Sequence, residues 1–151
     1  MYILMERRRL FIFDFDGVLS VPWSKPEVPY EQVPDSIRKL SENHILGMAS
    51  FNPRANKALG VWKLDQYFSC ARSGANCHWN GFYRQKYRVG LTKSDQIINM
   101  IENEISKSDY IDIVFFDDDP QNLKCVNKRL PHVKTVLVDN KIGFRLDNIP
   151  S

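Results

Sequence analysis

The chain has 151 residues, 43% of them hydrophobic and 26% charged, with a net charge of +3. That length suits a single domain over residues 1–151 with a core of its own, and the proportions exclude a disordered or fibrous chain. The mild positive charge permits an acidic partner without requiring one. No apolar run approaches the roughly 18 residues of a membrane helix, so no membrane partner is expected. Arg7-Arg8-Arg9 leads into a short apolar stretch carrying Asp14 and Asp16, which is not a signal-peptide layout. Cys70, Cys77 and Cys125 are too few for a disulfide framework, which points to the cytoplasm or another reducing intracellular compartment.

Apolar runs alternate with helical patterns along the chain, the signature of a parallel sheet covered by helices on both faces. Leu10-Phe11-Ile12-Phe13 is the first strand and ends at Asp14. Residues 17–33, with Gly17, Pro22, Pro26 and Pro29, read as a loop or small hairpin. Pro34 to about Asn43 reads as a helix with Ile37 and Leu40 inward, and Ile45 to Ala49 as the second strand. Ser50-Phe51-Asn52-Pro53 opens a helix, with Asn52 a good cap and Pro53 a good first residue. Tyr67-Phe68 marks a short third strand, and residues 71–92 read as irregular, polar and basic. The spacing of Ile97, Ile98, Ile101 and Ile105 predicts a helix over Ser94 to Ile105. Ile111 to Phe116 is a fourth strand ending in Asp117-Asp118-Asp119; Pro120 starts a further helix with Leu123, Val126 and Leu130 inward, and Val133 to Val138 is the fifth strand.

Two strands thus end in acid clusters, Asp14-Phe15-Asp16 and Asp117-Asp118-Asp119. Open α/β sheets place their ligand sites at the carboxyl ends of strands. If the two strands are neighbours, the crowded carboxylates require a cation, and oxygen-only ligands with a phosphate suit magnesium. The alternative is that such acids only cap the following helices, most plainly Asp119 before Pro120.

Phe11-Ile12-Phe13-Asp14-Phe15-Asp16-Gly17-Val18-Leu19 resembles the first motif of the haloacid dehalogenase (HAD) superfamily, an apolar strand followed by Asp-x-Asp-Gly and Thr or Val. Ser50 sits where the second motif has Ser or Thr, Lys93 looks like the third-motif lysine, and Phe115-Phe116-Asp117-Asp118 looks like the acidic fourth motif. The match spans residues 10–138, and Phe-Phe-Asp-Asp-Asp-Pro-Gln-Asn is similar to the small magnesium-dependent phosphatases of that superfamily. The resemblance implies a three-layer Rossmann-like fold with about five parallel strands. It also implies phosphohydrolysis with Asp14 as nucleophile and Asp16 as acid and base. Ser50, Phe51 and Asn52 would bind the phosphate beside Lys93, whose charge would offset that of Asp14 and the phosphate. Asp14, the Asp16 carbonyl and Asp118 would hold Mg2+, with Asp117 the second choice for that last place. Read singly, Ser50 is equally a helix cap, Lys93 a solvated lysine with Lys86 as competitor, and Asn122 either a neighbour of the metal site or a solvated residue.

Family members often carry a cap domain after the first motif or before the lysine, and neither residues 17–33 nor residues 71–92 has room for one of ordinary size. A capless, open site suits a phosphate on a macromolecule, or a subunit that borrows a second copy as its lid. Residues 70–93 hold Arg72, Arg84, Lys86, Arg88 and Lys93 interleaved with Trp79, Phe82, Tyr83 and Tyr87, without an acid. That mixture suits single-stranded nucleic acid, although an ordinary loop with anchoring aromatics is the plainer reading. The leading expectation is a magnesium-dependent phosphatase. The alternatives are a nucleic-acid end phosphatase and a catalytically silent domain that binds a phosphorylated partner.

Overall fold

The computed structural model describes residues 8–74 and 92–151. Among them, β1 (Leu10–Phe13), β2 (Ile45–Ser50), β3 (Cys70–Ser73), β4 (Ile113–Asp117) and β5 (Lys134–Leu137) form one sheet in the order β3-β2-β1-β4-β5. Every neighbouring pair is parallel. Every residue of β1, β2 and β4 is buried, as expected for central strands covered on both faces.

The period of two along each strand sorts the side chains into two cores. Phe11 and Phe13 of β1, Leu46 and Met48 of β2, and Val114 and Phe116 of β4 meet α1 (Val33–Ser41) and α2 (Ala55–Val61) on one face. Leu10 and Ile12, Ala49, and Ile113 and Phe115 meet α3 (Lys93–Asn103) and α4 (Pro120–Arg129) on the other. Gly47 lies where α3 presses on β2: a Cβ there would lie 2.7 Å from the Met100 sulfur. The expected three-layer Rossmann-like α/β architecture is therefore present, and no cap domain occurs among the described residues.

Several local expectations are corrected. Tyr67 closes a 3-10 turn (Asp65–Tyr67), and the third strand is β3, three residues beyond it. Tyr67 and Phe68 spend their rings on the α1/α2 core, while the backbone of Cys70–Ser73 pairs with Gly47–Ser50. Residues 70–73 of the stretch read as irregular are therefore strand, and residues 75–91, with Cys77, His78, Arg84, Lys86 and Arg88, lie outside the described residues. Asn52 does not cap α2 directly; its Oδ1 accepts from the Arg54 N–H at 2.9 Å in a turn, and the helix starts at Ala55. The helix α3 begins one residue earlier than the isoleucine spacing implies, because Thr92 and Asp95 form a reciprocal capping box around Lys93. Along it Gln96 and Met100 are buried with Ile97 and Ile101, whereas Ile98 is only half-buried.

Two features bring the rest of the chain to the carboxyl edge of the sheet. Residues 17–32 fold back on themselves through bridges from Ser20 to Asp16 and Pro29. The tail then returns to this loop: the Phe144 N–H donates to the Val18 carbonyl at 2.8 Å, and the Phe144 ring is fully buried against Phe13 and Phe116.

Candidate active site at the carboxyl ends of β1 and β4

The chain runs outward from β1 to β2 and β3, then returns to the other side of β1 as β4. The reversal lies between β1 and β4, where an open α/β sheet leaves a crevice beyond its carboxyl ends. Phe13 pairs with Phe116, so the residues that follow, Asp14 and Asp117, emerge side by side; the Asp14 N–H donates to the Phe116 carbonyl at 2.9 Å. Carboxylate oxygens of Asp14, Asp117 and Asp118 all lie within 4.8 Å of one another. Asp14 and Asp118 line a cleft of about 1100 Å3 together with Asp16, Ser50, Phe51, Asn52, Lys93 and Asn122, and Asp117 is buried beside them.

Lys93 answers the charge of this cluster. The residue is 1% exposed, and Nζ donates to Asp14 Oδ1 at 2.7 Å and to the Ala49 carbonyl at 2.5 Å. The ammonium also stands 4.6 Å from the centre of the Phe51 ring, a favourable cation–π distance. The capping box fixes the first turn of α3 and so aims Lys93 under the sheet edge, beside β1. Of the two readings open for this residue, the solvated one is excluded.

Asp117 is fully buried, and its Oδ1 accepts from the Asp119 N–H at 2.9 Å while Oδ2 accepts from Asn122 Nδ2 at 3.0 Å. Burial, reinforced by the neighbouring Asp14 charge, pushes its carboxyl up to about 8. Asp118 is half-buried and is also pushed up, first by burial and then by Asp14, although Asn140 donates to it at 3.3 Å. Among the described residues Lys93 is the cation bonded to this cluster, and the oxygen donors of the three acids would suit a hard divalent ion. Asn122 therefore packs beside the acids, and Asp119 is the cap of α4, accepting from the Gln121 N–H at 2.9 Å.

Gly17 makes room for this arrangement. Its φ is +81°, and a Cβ would lie 2.2 Å from Asp118 Oδ2. Only glycine takes this backbone shape without strain while letting a carboxylate rest against it. Asp16 faces the cleft from the same turn, and Asn52 Nδ2 reaches both its carboxylate oxygens, at 3.2 and 3.4 Å. Burial raises the Asp16 carboxyl above its ordinary range; Asn52 opposes the shift and Asp14 adds to it.

Ser50 is buried at the end of β2, and its Oγ accepts from the Asn52 N–H at 3.0 Å. Its carbonyl accepts from Gln96 Nε2 at 2.9 Å, which ties α3 to the same strand end. The polar groups beside Ser50 come from the turn over residues 51–54 and not from a helix start, since α2 begins later. All the residues expected at the site thus converge: Asp14, Asp16, Ser50, Phe51, Asn52, Lys93 and Asp118 line one cleft, with Asp117 beneath. Arg72, grouped with the basic stretch, is turned away to pair with Glu104 and Asn99.

Sequence reasoning missed Asn140, Tyr30 and Gln96. Tyr30 Oη donates to the Asn140 carbonyl at 2.5 Å and so holds the tail over the Asp118 side of the cleft. Burial, then Asp118, pushes the Tyr30 phenol up to about 12, so it remains a donor at neutral pH. No pattern in the sequence marks Asn140, since its contact depends on the tail's return; the Thr92-x-x-Asp95 box was a readable signal for the start of α3. No protein-family model matches the chain, and no curated protein matches it.

Proposed function

We propose that the chain is a magnesium-dependent phosphohydrolase that works through an aspartyl-phosphate on Asp14, in the manner of the HAD superfamily its motifs resemble. One observation carries this reading: Asp14 is held at 2.7 Å by the buried Lys93, and its carboxylate lies within 4.8 Å of those of Asp117 and Asp118. Lys93 engages Oδ1, which leaves the other oxygen of Asp14 to meet phosphorus. Magnesium at Asp14, Asp118 and the Asp16 carbonyl, with Asp117 behind, would neutralise the acids and the phosphate together.

In the first half-reaction an Asp14 oxygen bonds to phosphorus, the bond from phosphorus to the leaving oxygen breaks, and Asp16 donates its proton to that oxygen. The raised carboxyl of Asp16 favours this protonated start. In the second, a water oxygen attacks phosphorus, Asp16 takes the water proton, and the bond to Asp14 breaks to release inorganic phosphate. Ser50 Oγ accepts from the Asn52 N–H and so keeps its own proton to donate to a phosphate oxygen, with Lys93 as the neighbouring cation. The cleft is larger than a phosphate alone would need, which agrees with a phosphate carried on a larger molecule.

The test is hydrolysis of an aryl phosphate by the purified chain, with magnesium and after EDTA. Magnesium-dependent release of phosphate that is lost in Asp14→Asn is the expected result. An inert wild-type chain that still binds phosphorylated ligands would replace this reading with that of a binding domain.

A further inference from the structure

Two tryptophans of the chain are placed in opposite ways. Trp62 stacks on Phe15 with ring centres 5.3 Å apart and donates from Nε1 to the Glu27 carbonyl at 3.1 Å. Trp23 is 98% exposed and lines the same cleft as Asp14. Its φ is +64°, a region where a bulky residue is an outlier and where glycine or asparagine would be expected.

This exposure does not come from a loose loop. The Val21 N–H donates to the Val28 carbonyl at 2.8 Å. Ser24 braces the interior of the loop, its Oγ donating to the Val21 carbonyl at 2.7 Å and accepting from the Val28 N–H at 3.1 Å. Arg54 meets Glu27 at 2.7 Å and ties the loop to the turn beside Ser50. A braced loop thus holds a large apolar ring bare at a cleft, in a backbone shape that disfavours it. The fold gains neither packing nor local geometry from the indole.

We propose that Trp23 is a specificity-determining residue, its indole a stacking platform for a nucleobase in the leaving group of a phosphomonoester. The proposal rests on the phosphatase reading and adds the substrate class. An indole face stacks on any base, and the base's ring lies a sugar away from the phosphate, a span for which a cleft of about 1100 Å3 has room. A phenyl ester, with its ring on the ester oxygen itself, would leave most of that space unused.

Turnover and binding test it separately. Trp23→Ala should lower kcat/KM for adenosine monophosphate relative to glycerol phosphate by about 10-fold, the size of one lost stack, mainly through KM. Trp23→Phe should recover most of the loss. In the Asp14→Asn protein, adenosine monophosphate should quench tryptophan fluorescence, and adding Trp23→Phe should abolish the quench although Trp62 and Trp79 remain. Equal loss on both substrates, no loss on either, or a larger loss on phenyl phosphate than on the nucleotide would overturn the proposal. If no phosphomonoester is turned over with magnesium, the phosphatase reading fails. The quench then decides the stacking site by itself: absent, it overturns it.

Discussion

Lys93 Nζ and Asp14 Oδ1 are 79 residues apart in the chain and 2.7 Å apart in space, both buried. Their attraction is strong because water is excluded, and Asp14, crowded by Asp117 and Asp118, depends on that cation, whereas Lys93 keeps the Asp117 charge nearby when Asp14 is neutralised. Lys93→Met should cost about 3–5 kcal/mol, the range for orphaning one member of a buried pair. Asp14→Asn combined with Lys93→Met should recover much of that loss in urea unfolding. A single Lys93→Met variant as stable as the wild type would show that the pair does not hold the site.

Asp14→Asn should abolish turnover and leave the fold intact, since the amide keeps the shape and removes both the proposed nucleophile and one of three crowded charges. Asp16→Asn should slow the reaction by about 10²–10⁴-fold, the usual worth of a positioned proton donor. Acid-quench labelling with a radioactive phosphomonoester should also trap phosphoenzyme in that variant. Wild-type rates in either would reassign the role concerned.

The metal-free protein should lose stability as pH rises from 6 to 8. The Asp117 carboxyl stands at about 8 when folded, against about 3.9 in an unfolded chain. Between those values the folded state holds a proton that the unfolded state has released, so raising the pH favours unfolding, by at most about 1.4 kcal/mol per pH unit. Asp95 and Asp112, which Arg129 and Arg9 hold below the usual carboxylate range, act with the opposite sign, but only in acid. Magnesium should raise the melting temperature more at pH 8 than at pH 6, and Asp117→Asn should flatten the metal-free profile. A profile that rises from pH 6 to 8 without metal would contradict the crowding.

Gly17→Ala should uncouple the proposed metal site from the fold. The substitution forces a side chain into positive φ, at about 1–2 kcal/mol, and pushes a Cβ into the Asp118 carboxylate. Calorimetry should show magnesium affinity falling at least about tenfold while thermal stability drops by a modest amount. Unchanged affinity would remove Asp118 from the ligand set.

The sequence by itself determined the architecture and pointed to the residues that gather in the cleft. Short apolar runs ending in Asp14 and Asp117, with helical spacing between them, allow little besides a parallel sheet with acids at its carboxyl edge. That information is local, carried by hydrophobic period and by residue type at strand ends. The tertiary structure decided what depends on contacts between distant segments. It chose Cys70–Ser73 over Tyr67-Phe68 as the third strand, because pairing with Gly47–Ser50 outweighed the β-preference of the aromatics. It settled Lys93 as Asp14's partner and paired Arg72 with Glu104. Return of the tail put Asn140 against Asp118, a contact between residues that share no element and leave no periodic trace. Burial, which no residue carries in its own letter, separated the fully enclosed Asp117 from the half-exposed Asp118 beside it.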